Sequence, residues 1–342
     1  MLSPEKTAAA TNAGWFAGRR VLVTGAGGFI GSHVTEALLH AGADVTGLVR
    51  YTSRGDPGAL SQIDPGLRSG LKLVAGDLKD PAALNKTVEG MDVVFHLAAL
   101  IGIPYSYVHP LDYVQTNVTG TAHLLEACCR AKVGRIVQFS TSEVYGTAIY
   151  TPIDEAHPLQ AQSPYSASKI AADQLALSYY RSFDLPVAIA RPFNTYGPRQ
   201  SARALVPALI GQALRGKVVR LGSLTPLRDM NYVADTVEGV LRIAQVDAAI
   251  GQTINLGSSR EVSVGDIANM VFAELGGGFR IEQDEARIRP AKSEVFRLLA
   301  DCARARELLG WSPVVSLEEG IRRTIEWSRE NLDLLRTDRY IV

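Results

Sequence analysis

The sequence predicts an α/β protein built as a doubly wound parallel sheet with a smaller, mixed α/β lobe. Two observations lead there: short apolar runs alternate with helical patterns from Arg20 to Arg191, and beyond Arg191 the rhythm breaks into pieces punctuated by Pro and Gly. Arg20-Val21-Leu22-Val23-Thr24 is apolar on both faces and runs into glycines, the pattern of a strand buried in a parallel sheet. A helix over 30–40 and a strand over 44–50 follow. Further strands are expected at 71–75, 93–96, 135–139 and 186–190, separated by helices at 81–89, 113–131 and 165–183. Ser163-Pro164 suits the start of the last helix, because Pro in a first turn forfeits no hydrogen bond. In the lobe, helices are expected at 233–243, 264–274 and 317–330. The organisation implied is a loose arm over 1–18 with Trp15 and Phe16 docking on the body, a sheet domain over 19–191 to which 229–256 returns, and a lobe from 192–228 and 257–342.

With 342 residues the chain can bury a large core. Lys plus Arg and Asp plus Glu both number 35, so a formal net charge of zero offers no field for nucleic acid or an acidic membrane. No apolar run approaches the ~20 residues of a membrane span, and residues 1–18 lack the layout of a signal peptide. Cys128, Cys129 and Cys302 are too few for a disulfide framework and are expected as buried thiols in a reducing compartment. A cytoplasmic protein without nucleic-acid or membrane partners is expected. The histidines show no metal spacing; no metal is expected, and His33 and His96 read as packed, hydrogen-bonded residues.

Gly25-Ala26-Gly27-Gly28-Phe29-Ile30-Gly31 places glycines between a strand and a helix. In that setting the N–H groups and dipole at the helix start receive a pyrophosphate, so a Rossmann-type dinucleotide site is expected at Gly25, Gly28, Phe29, Ile30 and Gly31. The second strand ends in Arg50, with no carboxylate for an adenosine 2′-hydroxyl. Arg50 or Arg54 would instead pair with a 2′-phosphate, so the cofactor reads as NAD(P)+, with NADP+ slightly preferred on Arg50 and NAD+ close behind. Asp77 and Leu78 are expected beside the adenine, although Asp77 equally suits capping the next turn.

Tyr165 and Lys169 share one face of an expected helix. A nearby ammonium favours phenolate, which lets a phenol of pKa about 10 act as a base at neutral pH. Alcohol oxidation needs such a base, since hydride leaves carbon only as the hydroxyl proton is taken. Glu143, within Ser140-Thr141-Ser142-Glu143-Val144-Tyr145-Gly146, is a carboxylate that oxidation alone does not require.

Together with His96-Leu97-Ala98-Ala99, Asn117 and Arg191-Pro192-Phe193-Asn194-Thr195-Tyr196-Gly197-Pro198-Arg199, these stretches resemble the extended short-chain dehydrogenases/reductases that act on nucleotide sugars. More narrowly, Ala98 to Tyr113, Tyr150 to Pro164 and Asn194 to Arg203 resemble nucleotide-sugar 4,6-dehydratases of the legionaminic-acid type, whose substrate is UDP- or GDP-linked N-acetylglucosamine. The resemblance implies a tightly bound, recycled NAD(P)+ and catalytic Thr141, Ser142, Glu143, Tyr165 and Lys169. Tyr165, assisted by Lys169, would take the C4-hydroxyl proton as hydride leaves C4. Glu143 would then remove the acidified C5 proton, water would leave C6, and the hydride would return there. Thr141 would orient the C4 oxygen, Ala98 would border the cofactor, and Asn117 would order the backbone and a water near Lys169.

One position departs from that pattern. Many 4,6-dehydratases carry Thr-Asp-Glu, the Asp protonating the leaving hydroxyl, where this chain has Ser142. GDP-mannose 4,6-dehydratases and UDP-glucuronate decarboxylases both use Thr-Ser-Glu, so decarboxylation, 4-epimerisation and 5,6-dehydration stay open beside 4,6-dehydration. With Ser142, Glu143 would serve as both base and acid. Asn194 and the turn after it are expected at the crevice where parallel strands end. Arg228 and Arg289 match arginines that clamp the substrate pyrophosphate in this family, a task suited to guanidinium forks. Arg203 and Val206 would border the base, and Tyr105 the sugar. The resemblance also implies a homodimer through the helices at 113–131 and 165–183.

Overall fold

The structure, a computed structural model, describes residues 14–335; residues 1–13 of the expected arm and 336–342 lie outside the described residues. Its strands are β1 (Arg20–Thr24), β2 (Asp44–Val49), β3 (Leu71–Ala75), β4 (Val93–His96), β5 (Arg135–Phe139), β6 (Val187–Pro192), β7 (Asn194–Tyr196), β8 (Val218–Leu221), β9 (Leu227–Tyr232), β10 (Thr253–Leu256), β11 (Glu261–Ser263) and β12 (Arg280–Gln283). The longer helices are α1 (Phe29–His40), α2 (Pro81–Val88), α3 (Gly120–Ala131), α4 (Pro164–Phe183), α5 (Leu205–Ala213), α6 (Val233–Gln245), α7 (Val264–Glu274), α8 (Ala303–Leu309) and α9 (Leu317–Glu330).

Side chains alternate along β1, Val21 and Val23 entering one core and Leu22 the other, as a strand covered on both faces requires. Seven strands form one parallel sheet in the order β10-β6-β5-β4-β1-β2-β3. Val23 lies opposite Gly47 on one side and Phe95 on the other. Strand order reverses at β1, so the β1 and β4 ends open a crevice at the switch point, where such sheets bind ligands. The core holding Val21 and Phe95 runs on without a break to Leu209, Trp311 and Ile321 of the lobe. Phe16 is fully buried there, its ring 6.2 Å from that of Phe95.

Helix α4 is fixed at its start by its own sequence. Ser163 Oγ accepts from Ser166 N at 3.1 Å, and Ser166 Oγ accepts from Ser163 N at 3.0 Å, with Pro164 filling the first helical position. The helix expected over 113–131 is not uniform. A short helix, Pro110–Tyr113, opens into a π turn over Val114–Thr119 before α3 begins. The wider turn sits where the Asn117 side chain, 1 % exposed, bonds inward to the loop after β4.

Within the lobe, β9 pairs in parallel with β7 and antiparallel with β11, while β8 pairs with β12. Of residues 229–256, α6 packs on β5, β6 and α1, and β10 joins the large sheet beside β6, whereas β9 belongs to the three-stranded sheet. The three cysteines are unpaired, Cys128 and Cys302 buried and Cys129 half-buried. Among the described residues no helix is long and apolar enough to cross a membrane, and no cluster of His, Cys, Asp and Glu could hold a metal ion.

Candidate active site

The glycine turn is shaped by close approach. Gly25 has φ +71°, and a Cβ there would lie 2.8 Å from Ala98 N; a Cβ on Gly31 would lie 2.2 Å from Gly25 O. Helix α1 starts at Gly28 without a side-chain cap or an acidic residue in its first turn. Neither a cap nor a first-turn acid therefore occupies its opening N–H groups, which fits a dinucleotide pyrophosphate. Phe29 and Ile30 form its first turn, and Ala98 lies against Gly25. Of the residues expected around an adenine, Leu78 is buried and Arg50 is exposed at the end of β2. Asp77 Oδ1 accepts from Lys79 N at 2.9 Å, the capping alternative.

The groups expected to react converge at the end of β5 and the start of α4. Chain leaving β5 passes Ser140 and Thr141 into a tight turn over Ser142–Tyr145, where Thr141 Oγ1 accepts from Glu143 N at 3.2 Å. Ser142 and Glu143 are buried, as are Tyr165 and Lys169 one turn apart on α4. Thr141 and Glu143 are both close enough to the Tyr165 phenol to act on it. The Tyr113 ring stands nearly perpendicular to that of Tyr165, centroids 6.2 Å apart, with Tyr105 6.1 Å beyond Tyr113.

Burial pushes the Tyr165 phenol up, the nearby Thr141 hydroxyl opposes this, and the Glu143 charge adds to it. Burial also pulls the Lys169 ammonium down, against the attraction of Asp173. Lys169 is not among the main groups acting on Tyr165; its Nζ donates to Phe139 O at 2.5 Å. In the protein alone both groups are thus biased toward their neutral forms, because a dry site penalises each charge more than its neighbours repay.

Asn117 reaches Lys169 only through a neighbour. Its Oδ1 accepts from Leu100 N at 2.8 Å, and its Nδ2 donates to Leu100 O and to Ser168 Oγ, each at 2.9 Å. Behind Lys169 lies a buried network the sequence left unassigned. Asp173 Oδ2 accepts from Arg191 Nη2 at 2.8 Å and from Ser140 Oγ at 2.5 Å, and Arg191 Nη1 donates to the Tyr145 hydroxyl at 2.9 Å. Asp173 follows Lys169 by one turn on the same helix face, a spacing that could have revealed it.

Across the crevice, Arg228 and Arg289 come together with two carboxylates. Arg228 Nη2 lies 3.0 Å from Glu294 Oε1, and Arg289 Nη1 lies 3.7 Å from Glu143 Oε1 and 3.8 Å from Glu294 Oε1. Arg289 Nη1 is buried without a hydrogen bond, as is Asn194 Oδ1 on β7. Burial lowers Arg228, with Glu143 and Glu294 opposing. Glu294 carried no sequence signal, because Arg228, which bonds it at 3.0 Å, lies far away in the chain. The segment carrying it is clasped by Ser293, which meets the Tyr107 hydroxyl at 2.6 Å and donates to Gln162 O at 2.5 Å. Val206 is buried at the start of α5, and exposed Arg203 lies near enough to act on Tyr113.

Residues 22–324 match the family model for GDP-mannose 4,6 dehydratase. The dTDP-glucose 4,6-dehydratase of Streptomyces antibioticus is 35% identical over 319 residues, covering 91% of this chain and 92% of that one. Among solved structures, the dTDP-glucose 4,6-dehydratase DesIV of Streptomyces venezuelae, with NAD bound, superposes with a TM-score of 0.83 at 32% identity, covering 94% of this chain and 100% of its own. The NAD-dependent NDP-hexosamine 5,6-dehydratase TunA, of tunicamycin biosynthesis, gives 0.81 at 32% identity over 92% and 99%. UDP-glucuronic acid decarboxylase 1 of Xenopus tropicalis and a UDP-glucuronic acid 4-epimerase of Bacillus cereus are each 30% identical. The glycine turn, the Tyr165–Lys169 pair and these likenesses along nearly the whole chain agree: the protein belongs to the GDP-mannose 4,6-dehydratase family of extended short-chain dehydrogenases/reductases.

Proposed function

We propose that this protein is a nucleotide-sugar 4,6-dehydratase that converts UDP- or GDP-linked N-acetylglucosamine to the 4-keto-6-deoxy sugar. The observation that carries the reading is a second buried acid/base group, Glu143, set in the turn after Thr141 beside the Tyr165 phenol. Oxidation and re-reduction at one carbon would need Tyr165 and Lys169 only; elimination needs a carboxylate as well.

In this reading Arg228 and Arg289 hold the substrate pyrophosphate, for which the unsatisfied Arg289 Nη1 supplies a waiting donor. Asn194, whose Oδ1 lacks a partner, and Tyr105 face the sugar, while Arg203 and Val206 border the base. Thr141 holds the C4 oxygen and Tyr165 takes its proton, with Lys169 steadied by Phe139 O and Asn117 acting through Ser168. The dinucleotide, when bound at Gly25, Gly28, Phe29, Ile30 and Gly31, supplies a positively charged hydride acceptor that also favours phenolate. Glu143 removes the C5 proton and, since Ser142 is a poor acid, delivers a proton to the departing C6 oxygen. The NAD of the neighbouring structures makes NAD+ the working choice, with exposed Arg50 able to lie over the adenine or meet a 2′-phosphate. Exposed Leu111 and Val114, on the turns that lead into α3, and Phe183 at the end of α4 support a homodimer along these helices, testable by light scattering.

Product analysis tests the reaction. Purified protein is incubated with UDP-GlcNAc, GDP-GlcNAc and UDP-glucuronate, and the products are weighed. Loss of one water without net cofactor reduction, with solvent deuterium at C5, is expected. Carbon dioxide loss from the uronate, inversion at C4 without mass change, or an exocyclic alkene would each replace this reading by the corresponding relative's reaction.

A further inference from the structure

His96, at the end of β4, takes no part in the chemistry above, yet both of its ring nitrogens are engaged. Nδ1 lies 2.8 Å from Thr24 Oγ1, and Nε2 lies 3.0 Å from Thr121 Oγ1. Thr121 gives its single hydroxyl proton to the Asn117 carbonyl at 2.6 Å, so it can only accept from the ring. Nε2 must therefore carry the proton. Nδ1 is left bare and accepts from the Thr24 hydroxyl, whose oxygen accepts in turn from Ala98 N at 3.2 Å. Only a neutral ring in this one tautomer satisfies every donor and acceptor along the chain. Burial, with the Lys169 ammonium second, drives the ring pKa down to about 3, which agrees with that assignment.

The chain of bonds does not stop at the Asn117 carbonyl. The Asn117 amide grips Leu100 on the loop after β4 and Ser168 next to Lys169, and Ser168 Oγ donates to Tyr165 O at 2.7 Å. The line joins the end of β1 before the glycine turn, the end of β4 and the loop after it, the π turn, the first turn of α3 and the start of α4. We propose that His96 is a positioning residue that, through Thr24 and Thr121, locks the cofactor-side loop and the Asn117 turn in register with Tyr165 and Lys169. The inference rests on the roles proposed for Asn117, Tyr165 and Lys169.

Thr121 offers the clean perturbation, since Val keeps its shape without the hydroxyl and Ser keeps the hydroxyl. Thr121→Val is expected to lower kcat about ten- to a hundred-fold, the cost of a small misplacement at the reacting centre, with KM for the nucleotide sugar held within about twofold. Thr121→Ser should restore turnover. Independently of turnover, imidazole ¹⁵N spectra of the unaltered protein should show His96 protonated at Nε2 alone between about pH 5 and 8. Undiminished kcat in Thr121→Val, a Thr121→Ser variant as impaired as Thr121→Val, or a proton on Nδ1 would each overturn the relay. Should Thr121→Val fail to fold, the tautomer measurement decides alone. Tyr165→Phe separates the two levels: if it still transfers hydride, the proposed chemistry fails, and if it is dead while Thr121→Val is normal, only the relay fails.

Discussion

Replacing Glu143 by Gln separates the two halves of the proposed reaction and has a computable electrostatic side. Glu143, 8 % exposed, sits in a cluster of two guanidinium groups, Arg228 and Arg289, and two carboxylates, Glu143 and Glu294. Its Oε1 lies 3.7 Å from Arg289 Nη1, a gross attraction of about 4 kcal/mol at an effective dielectric constant near 20. Gln keeps the shape but removes one negative charge, so the formally neutral cluster gains a positive one. A diphosphate should then bind at least as well as before. Elimination should fall by about 10²–10⁴, the usual contribution of a positioned acid/base group. Hydride transfer from C4 relies on Thr141, Tyr165 and Lys169 and should survive, so reduced cofactor and the 4-keto-hexose should accumulate. The assay is a single turnover followed by cofactor absorbance, with mass spectrometry for C5 deuterium and isothermal titration with UDP and GDP. Full dehydration by the variant would falsify the role of Glu143. Loss of hydride transfer along with elimination would mean the carboxylate serves the first step or the architecture instead.

Three other outcomes are expected. Arg289→Ala removes a buried, unsatisfied donor from the pyrophosphate seat; losing a charge-assisted bond of about 1.5–3 kcal/mol should weaken nucleoside-diphosphate affinity roughly ten- to a hundred-fold, and unchanged affinity by titration would remove Arg289 from that seat. Gly31→Ala puts a methyl 2.2 Å from Gly25 O and must displace the turn, so bound dinucleotide should be lost from the purified protein; cofactor retained at wild-type stoichiometry would contradict the close-approach argument. Burial, aided by Arg199, lowers His33 to about 3 from 6.5, so below about pH 6.5 the unfolded chain takes a proton that the folded one refuses. Stability from this group is complete above pH 6.5 and is lost as pH falls toward 3, at up to about 1.4 kcal/mol per pH unit. Urea unfolding of His33→Gln should show a shallower acid slope, and an identical slope would show that His33 is not held neutral.

Taken alone, the sequence determined whatever depends on near neighbours. Strand β1 and the glycine turn were readable because apolar runs and strained backbone are local, and Tyr165 and Lys169 because helical periodicity puts them on one face. Ser163 and Ser166 fixed the start of α4 within the same short reach. The tertiary structure decided what depends on distant chain and on dryness. It brought Arg228 to Glu294 and Arg289 to Glu143, seated β9 beside β7 and β11, and threaded His96 between Thr24 and Thr121. It also sets the bias at Tyr165 in the protein alone: the helix brings an ammonium one turn away, but a pKa follows the solvation and charge of the whole site, and burial pushes the phenol up.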